Sequence, residues 1–140
     1  MLCYLNIGSN LGDRRANLEA AITAIERDFG TTARRSDVVE SAPWGYASAH
    51  RFLNIGIAIE VDAEPLELLS RLQAIEKRLG SGSHRNADGS YADRLVDIDI
   101  MDIDGYSCDT ERLTVPHRHL YDREFFLQPY NQLKSSQSNH

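Results

Sequence analysis

Short apolar runs alternate along the chain with stretches in which apolar residues recur every three or four positions. The runs predict strands at residues 2–7, at Val38 and Val39, at 52–61 and at 95–103. The longer spacing predicts one helix from Asp13 to near Gly30 and a second from Ala63 to Gly80. The second helix should bury a stripe formed by Leu66, Leu69, Leu72, Ile75 and Leu79.

The order of these elements predicts the fold class. The order β-α-β-β-α-β is that of a ferredoxin-like α+β sandwich, an antiparallel sheet with two main helices on one face. With 140 residues, of which 41% are hydrophobic, the chain should form a single domain over residues 1–129. Residues 130–140 are mostly polar, and we expect them to form a fraying C-terminal tail.

The net charge indicates which partners the protein binds, and the cysteine content indicates the cellular compartment. The chain has 15 basic and 21 acidic residues, and the net charge of −6 argues against a general nucleic-acid binder. No apolar stretch approaches the roughly 20 residues that a membrane helix needs. Cys3 and Cys108 form no paired motif and follow no secretory signal, which favours a reduced, cytoplasmic compartment. We expect a cytoplasmic monomer that acts on small molecules, without nucleic acid or membrane partners.

The segment Val96-Asp97-Ile98-Asp99-Ile100-Met101 places two carboxylates in a predicted strand. Side chains alternate along a strand, so Asp97 and Asp99 should share one face while Ile98 and Ile100 point into the core. Unpaired neighbouring carboxylates repel, and Mg²⁺ bound together with substrate phosphates removes that penalty. For this motif taken alone, an exposed edge strand with solvated acids is the favoured interpretation.

A basic cluster follows in the segment ERLTVPH at 111–117 and just after it. Arg112, Arg118 and Arg123 are accompanied by His117 and Thr114, a composition typical of a phosphate site because guanidinium groups match phosphate oxygens. The alternative is surface arginines paired with neighbouring carboxylates, here Glu111, Asp122 or Glu124.

Two further segments carry candidate binding residues. Trp44 and Phe52 lie near Asn54 in the sequence, so they could enclose a flat heterocycle whose polar edge the asparagine reads; ordinary core packing is the alternative. The turn at residues 8–12 could bind an anion at a helix N-terminus, but it lacks the glycine spacing of known phosphate loops. We therefore interpret it first as a turn and helix cap. Residues 81–93 offer almost nothing to a core and should be mobile.

Four of these segments together resemble one enzyme family. They are IGSNLGD at 7–13, FLN at 52–54, RLVDIDIM at 94–101 and ERLTVPH at 111–117. The chain is similar, from about Tyr4 to Pro129, to 6-hydroxymethyl-7,8-dihydropterin pyrophosphokinases of folate biosynthesis. The resemblance implies the sandwich fold and transfer of pyrophosphate from ATP to the pterin hydroxymethyl group, giving AMP. It also implies that loop 81–93 is a catalytic lid.

The resemblance further implies roles for individual residues. Asp97 and Asp99 would be catalytic and would hold two Mg²⁺ ions, with Arg94 and Arg85 as further catalytic residues. The pterin would contact Ser41, Trp44, Phe52, Asn54 and Phe125. The ATP site would be formed by Gln73, Glu76, Arg94, Ile100, Arg112, Thr114, His117, Arg118 and Arg123.

Two other functions remain open from the sequence. Ser90-Tyr91-Ala92-Asp93-Arg94 stands where relatives commonly carry RWGPR, so the segment has fewer arginines than expected. A family member that binds pterin or nucleotide without turnover would fit that loss. A ferredoxin-like regulatory or assembly module, with the arginines as surface charge, is the other alternative.

Overall fold

The computed structural model describes residues 1–42, 51–80 and 95–138. β1 (Leu2–Ser9) leads into α1 (Arg14–Phe29), followed by the short strands β2 (Arg34–Arg35) and β3 (Val39–Ser41). β4 (Phe52–Glu60) and α2 (Pro65–Arg78) come next, and β5 (Asp97–Ile103) is the last long strand described. The C-terminal part contains β6 (Cys108–Asp109), β7 (Thr114–Val115) and α3 (Glu124–Ser138).

The ends of the first two helices follow local chemistry that is visible in the sequence. The Asp13 side chain accepts a hydrogen bond from the Ala16 N–H at 3.1 Å, which satisfies a backbone donor of the first turn of α1. Gly30 ends α1 in the left-handed conformation (φ 62°), which glycine adopts without steric penalty. Pro65 occupies the first turn of α2, where its missing N–H costs nothing. Among the described helices, none is long and apolar enough to cross a membrane.

The buried stripe of α2 differs from the prediction at its start. Leu66 is 46% exposed, so its place in the predicted stripe is wrong. The fully buried positions are Pro65, Leu68, Leu72 and Ile75. These four residues are spaced by three or four positions, as one face of a helix requires, and Pro65 is the first of them. Leu66 is rotated by about 100° around the helix axis from Pro65 and therefore lies off this face.

Five strands of the described residues form one antiparallel sheet with β1 at its centre. The strand order is β2-β4-β1-β5, and β3 extends the sheet by pairing with the start of β4. α1 and α2 contribute Leu18, Ile22, Leu72 and Ile75 to a core that they share with one face of this sheet. The prediction of an α+β fold with an antiparallel sheet is confirmed.

The opposite face of the sheet is covered by α3, which corrects the expected tail at 130–140. The chain remains helical to Ser138, and Tyr130 and Leu133 are buried against the sheet. They form a second core with Tyr4, Ala58, Met101, Leu120 and Phe126. Polar residues dominate the end of the sequence, but Tyr130 and Leu133 continue the buried face that Phe126 begins, and this face packs on the apolar surface of the sheet.

A β-bulge in β5 decides which of its side chains face α3. Against β1, Leu5 pairs with Ile100 but Tyr4 pairs with Asp102, so Met101 is the additional residue. Strict alternation is interrupted there, and Met101 enters the second core while Ile103 returns to the first. Asp102 thereby comes within reach of α3.

Hydrogen bonds hold α3 at both sides of the sheet. The Tyr130 hydroxyl donates to Asp102 Oδ2 at 2.6 Å on the β5 side. On the β2 side, Arg34 Nη1 donates to the Leu133 carbonyl at 3.2 Å. α3 therefore spans the sheet from β5 to β2, and Phe126 in its first turn packs edge-on against His117.

We expect Gly56→Ala to destabilise the protein because α3 crosses β4 at this position. A Cβ at residue 56 would lie 2.7 Å from the Cβ of Pro129, closer than two carbon atoms can approach. Overpacking of this kind costs about 1–3 kcal/mol of unfolding free energy, to be measured by urea denaturation. In a Pro129→Gly background the same substitution should cost less; an equal cost in both backgrounds would contradict the packing explanation.

Candidate active site

The two acidic residues of β5 lie on the α3 side of the sheet. Asp97 and Asp99 alternate with buried Ile98 and Ile100, as the period of two predicts. Both carboxylates are half-buried, and Asp99 retains 30% of its side-chain exposure. In the described part of the chain, no three His, Cys, Asp or Glu side chains cluster to hold a metal ion. A cation at this pair would need further oxygen ligands from a substrate.

Gly8, on the central strand β1, lies between Asp97 on β5 and Asn54 on β4. A Cβ at Gly8 would lie 3.1 Å from Asn54 Oδ1 and 3.2 Å from Phe52 Cδ1. The absence of a side chain therefore lets Phe52 and Asn54 lie over β1, close to the strand that carries the two acids.

Asn54 is a buried amide with a defined set of neighbours. Its Nδ2 donates to Ser41 Oγ at 2.8 Å and lies 3.5 Å from the Val39 carbonyl oxygen. Both partners belong to β3, which pairs with this part of β4. The structure thus brings together three of the predicted pterin residues: Ser41, Phe52 and Asn54.

The sequence reasoning missed one polar residue here, Asn6 in the middle of β1. It is 2% exposed, and its Nδ2 lies 3.4 Å from Asn54 Oδ1. The sequence does contain a sign of this residue, because Asn6 is a polar side chain within an otherwise apolar strand. Only the strand register shows its position, opposite Asp99 on β5 and Gly56 on β4.

His117 faces the acid pair in a neutral form. Burial lowers the pKa of His117 to about 4, helped by the positive charges of Arg123, His119 and Arg118. Its Nδ1 accepts the His119 backbone N–H at 3.0 Å, so in the neutral ring Nε2 carries the proton. Nε2 lies 3.9 Å from Asp99 Oδ1. The ring packs edge-on against Phe126, with centroids 4.9 Å apart, and thus presents a fixed, uncharged donor to the site.

The predicted nucleotide residues of α2 and β5 meet at the open edge of the sheet. Glu76 Oε2 accepts the Ile98 backbone N–H at 2.7 Å, which occupies a donor on this edge strand. Gln73 lies on the exposed face of α2, one turn before Glu76. The Ile100 side chain is buried in the core, so this residue can meet a ligand only through its backbone.

The basic residues of the C-terminal part have different environments. Arg112 is exposed and reaches Ser70 Oγ at 3.5 Å, and Arg118 is exposed as well. Arg123 is half-buried beside the rings of Phe126 and Phe125, at 5.0 and 5.8 Å from their centroids. Thr114 Oγ1 contacts Asp109 Oδ1 at 3.4 Å. The nearby carboxylate of Asp122 is paired with His119 at 3.2 Å.

The turn after β1 serves as a turn and helix cap, as predicted. Asn17 Nδ2 donates to the Leu11 carbonyl at 2.8 Å and to Ser9 Oγ at 3.1 Å. Gly12 adopts a positive φ of 64°, and Asp13 caps α1. The Asp13 carboxylate takes up the Ala16 N–H, one of the backbone donors that a bound anion would use, and Asn17 holds the turn by donating to its acceptors.

Several predicted features lie outside the described residues. They are the pterin candidate Trp44, the catalytic candidates Arg85 and Arg94, and the predicted mobility of loop 81–93. These assignments stay predictions. Phe125, by contrast, is described: it is half-buried in the first turn of α3 and packs edge-on against Phe126, with centroids 5.0 Å apart.

Comparison with known proteins decides the family. The model of the family described as 7,8-dihydro-6-hydroxymethylpterin-pyrophosphokinase (HPPK) matches residues 4–135. The chain belongs to the HPPK family. The match extends beyond Pro129 into the second half of α3, in agreement with the packing of that helix on the sheet.

Curated relatives carry the name 2-amino-4-hydroxy-6-hydroxymethyldihydropteridine pyrophosphokinase. The protein of Porphyromonas gingivalis is 37% identical over 129 residues, which is 91% of this chain and 87% of the relative. That of Bacillus subtilis is 34% identical, covering 91% and 75%. That of Pseudomonas aeruginosa is 38% identical, covering 90% and 76%. The resemblance expected from the four sequence segments is confirmed.

A solved structure agrees in fold. The structure titled "Crystal Structure Analysis of the HPPK-DHPS in complex with substrates" matches with a TM-score of 0.60 at 12% identity. The match covers 91% of this chain, which spans only 39% of that longer chain. At this low identity the likeness supports the HPPK fold of the chain and nothing more specific.

We expect His117 to be neutral at pH 7, with its proton on Nε2, in the metal-free and nucleotide-free protein. The reason is its burial and the backbone N–H that occupies Nδ1. Long-range ¹H–¹⁵N NMR correlations would report the tautomer, with a His117→Gln variant to assign the signals. A charged ring, or a proton on Nδ1, would contradict this description of the site.

Proposed function

We propose that this HPPK-family chain transfers the β,γ-pyrophosphoryl unit of ATP to the hydroxymethyl oxygen of 6-hydroxymethyl-7,8-dihydropterin. The products are AMP and the pterin pyrophosphate, and the reaction serves folate biosynthesis. The observation that carries the proposal is the register of β1, β4 and β5. It brings the acid pair Asp97 and Asp99 alongside Asn54 in a chain that belongs to this family.

Asp97 and Asp99 would hold Mg²⁺, two ions by analogy with the family. The donor set fits, because hard carboxylate oxygens on one strand face, with exposure left for substrate, suit a cation that shares its ligands with phosphates. Bound Mg²⁺ would offset the charge of the ATP polyphosphate. His117 adds an uncharged Nε2–H donor beside Asp99 and leaves the negative charge of the pair intact for the cation.

The pterin would bind over Gly8. Asn54 would read the polar edge of the pterin, Phe52 and Phe125 would flank its rings, and Ser41 would support Asn54. Trp44 completes the proposed set. Phe52 and Phe125 are both half-buried, which leaves ring surface for a ligand. A flat, polar-edged heterocycle matches a site with aromatic faces and one oriented amide.

ATP would lie along the edge of β5 and the residues that follow it. Gln73, Glu76, Thr114 and the Ile100 backbone would contact the nucleotide there, and Arg112, Arg118 and Arg123 would pair with phosphate oxygens together with His117. Arg94 and Arg85 would act from the segment that is proposed to cover the substrates. Covering the site would exclude water, which competes with the pterin as acceptor of the transferred group.

The reaction needs alignment and charge neutralisation rather than a protein nucleophile. The hydroxymethyl oxygen attacks the β-phosphorus, the bond from that phosphorus to the α,β-bridging oxygen breaks, and AMP leaves. The hydroxyl proton passes to solvent. This chain contributes by holding the acceptor over Gly8 and the donor at the β5 edge, which fixes the reacting groups in neighbouring positions.

The proposal also includes a ferredoxin-like fold and a monomeric state. The strand order β2-β4-β1-β5, with antiparallel neighbours throughout, supports the ferredoxin-like plan, α3 being an addition on the second face. We propose a monomer that acts on small molecules, without nucleic acid or membrane partners. The acidic net charge of −6 supports the absence of nucleic-acid binding.

The first experiment is an assay with Mg-ATP and 6-hydroxymethyl-7,8-dihydropterin, with AMP and ADP resolved by chromatography. Pterin-dependent AMP without ADP is expected. ADP would indicate transfer of a single phosphoryl group. Binding of both ligands without any nucleotide product would favour the non-catalytic alternative, and absence of binding would favour a regulatory module.

Replacing either acid should nearly abolish turnover. We expect Asp97→Asn and Asp99→Asn each to lower kcat more than about a hundredfold, because neutralisation of developing charge dominates such reactions. Asp104→Asn, an exposed carboxylate just beyond β5, is the matched control and should retain activity. Near-normal turnover of either site variant would refute the assignment of the acid pair.

A further inference from the structure

We infer that Asn6 is a positioning residue that sets the orientation of the Asn54 amide. The inference rests on the proposed function, because it assigns Asn54 to the pterin. It adds a residue that no motif of the chain marks and that does not itself need to touch the substrate. The observations behind it are the burial of Asn6, its contact with Asn54 and an unpartnered oxygen.

Asn6 lies where the two halves of the proposed site meet. Its Cα pairs with that of Asp99 on β5 and with that of Gly56 on β4. Paired residues of antiparallel strands lie about 5 Å apart, so Asn6 is an immediate neighbour of the acid pair. The Asn6 amide reaches Asn54, the residue that precedes Gly56 on this face of β4.

The Asn6 side chain is not explained by stability. It is 2% exposed, and its Oδ1 has no hydrogen-bond partner among the described residues. A buried acceptor without a partner destabilises the folded state, and an apolar residue of the same shape avoids that cost. Since a strand facing a core would be more stable with such a residue, the asparagine points to a role in the site.

Three neighbours contact the Asn54 amide, and they differ in whether they can distinguish its oxygen from its nitrogen. Ser41 Oγ, at 2.8 Å from Nδ2, can donate or accept and therefore tolerates either end of the amide. The Val39 carbonyl, at 3.5 Å from Nδ2, can only accept. The Asn6 Nδ2 group, at 3.4 Å from Asn54 Oδ1, can only donate. Val39 and Asn6 thus favour the same orientation from opposite ends of the amide.

The orientation decides what Asn54 presents to a ligand. Oδ1 has two lone pairs, and Asn6 occupies one, so the other can accept an N–H from the lactam or amino group of a pterin. If the amide were rotated by 180°, an N–H would stand in that place and would oppose the ligand donor. Asn6 therefore acts on pterin affinity through Asn54, and ATP binding at the β5 edge is not affected.

Asn6→Leu is the decisive variant because leucine has nearly the shape of asparagine but no donor. We expect the KM for 6-hydroxymethyl-7,8-dihydropterin to rise about tenfold, the size of effect that loss of one buried hydrogen bond produces. The KM for ATP should stay within about twofold of the wild-type value. The melting temperature should change little, because the variant removes one unpartnered oxygen, Asn6 Oδ1, and leaves another, Asn54 Oδ1, without its donor. A purely structural role predicts the opposite pattern, with lower stability and both KM values changed.

A second variant and a control keep the test decisive if Asn6→Leu folds poorly. Asn6→Ser is smaller but keeps a donor, so it should bind the pterin more tightly than Asn6→Leu; the reverse order would contradict the inference. Tyr130→Phe removes a buried hydroxyl on the same side of the sheet, bonded to Asp102, and should leave both KM values unchanged.

Asn54→Ala separates failure of the inference from failure of the proposed site. If Asn54→Ala raises the pterin KM but Asn6→Leu does not, Asn6 has no positioning role and the inference is overturned. If Asn54→Ala leaves the pterin KM unchanged, Asn54 does not bind the pterin, and the proposed site and the inference fail together.

Discussion

The site depends on the pairing of β1 with β4 on one side and β5 on the other. Gly8 lies opposite both Asn54 and Asp97, and Asn6 lies opposite Asp99. The groups proposed for the pterin and for the phosphates are therefore separated by two strand spacings, about 10 Å. A slip of one residue in either pairing would turn one set of side chains to the other face of the sheet. Backbone hydrogen bonds thus determine the distance between the two proposed subsites.

One face of the sheet is devoted to core packing, and the other carries the polar residues of the proposed site. The face under α1 and α2 is continuously apolar and forms the larger core. The face under α3 is apolar only around Tyr4, Met101 and Tyr130, and is polar near the acid pair. The bulge at Met101 marks the change between these regions, because it turns Asp102 out of the larger core and toward Tyr130 on the α3 face.

Burial near the acid pair favours groups that are polar but uncharged. A charged side chain is costly to bury, whereas an oriented neutral donor is not when it has a partner. His117 fits this condition, because burial lowers its pKa to about 4 and the His119 backbone N–H fixes its tautomer. Asn54 fits it as well, through Ser41.

The sequence by itself determined the first two helices and the long strands, the sharing of one face by Asp97 and Asp99, and the family. These follow from local spacing, from caps such as Asp13 and Gly30, and from short motifs. It did not show that α3 covers the second face, that Leu66 is exposed, or that Asn6 contacts Asn54. Those depend on strand register, on the bulge and on packing between residues distant in the chain. Local periodicity specifies which side of an element is buried, whereas only tertiary contacts specify what lies against it.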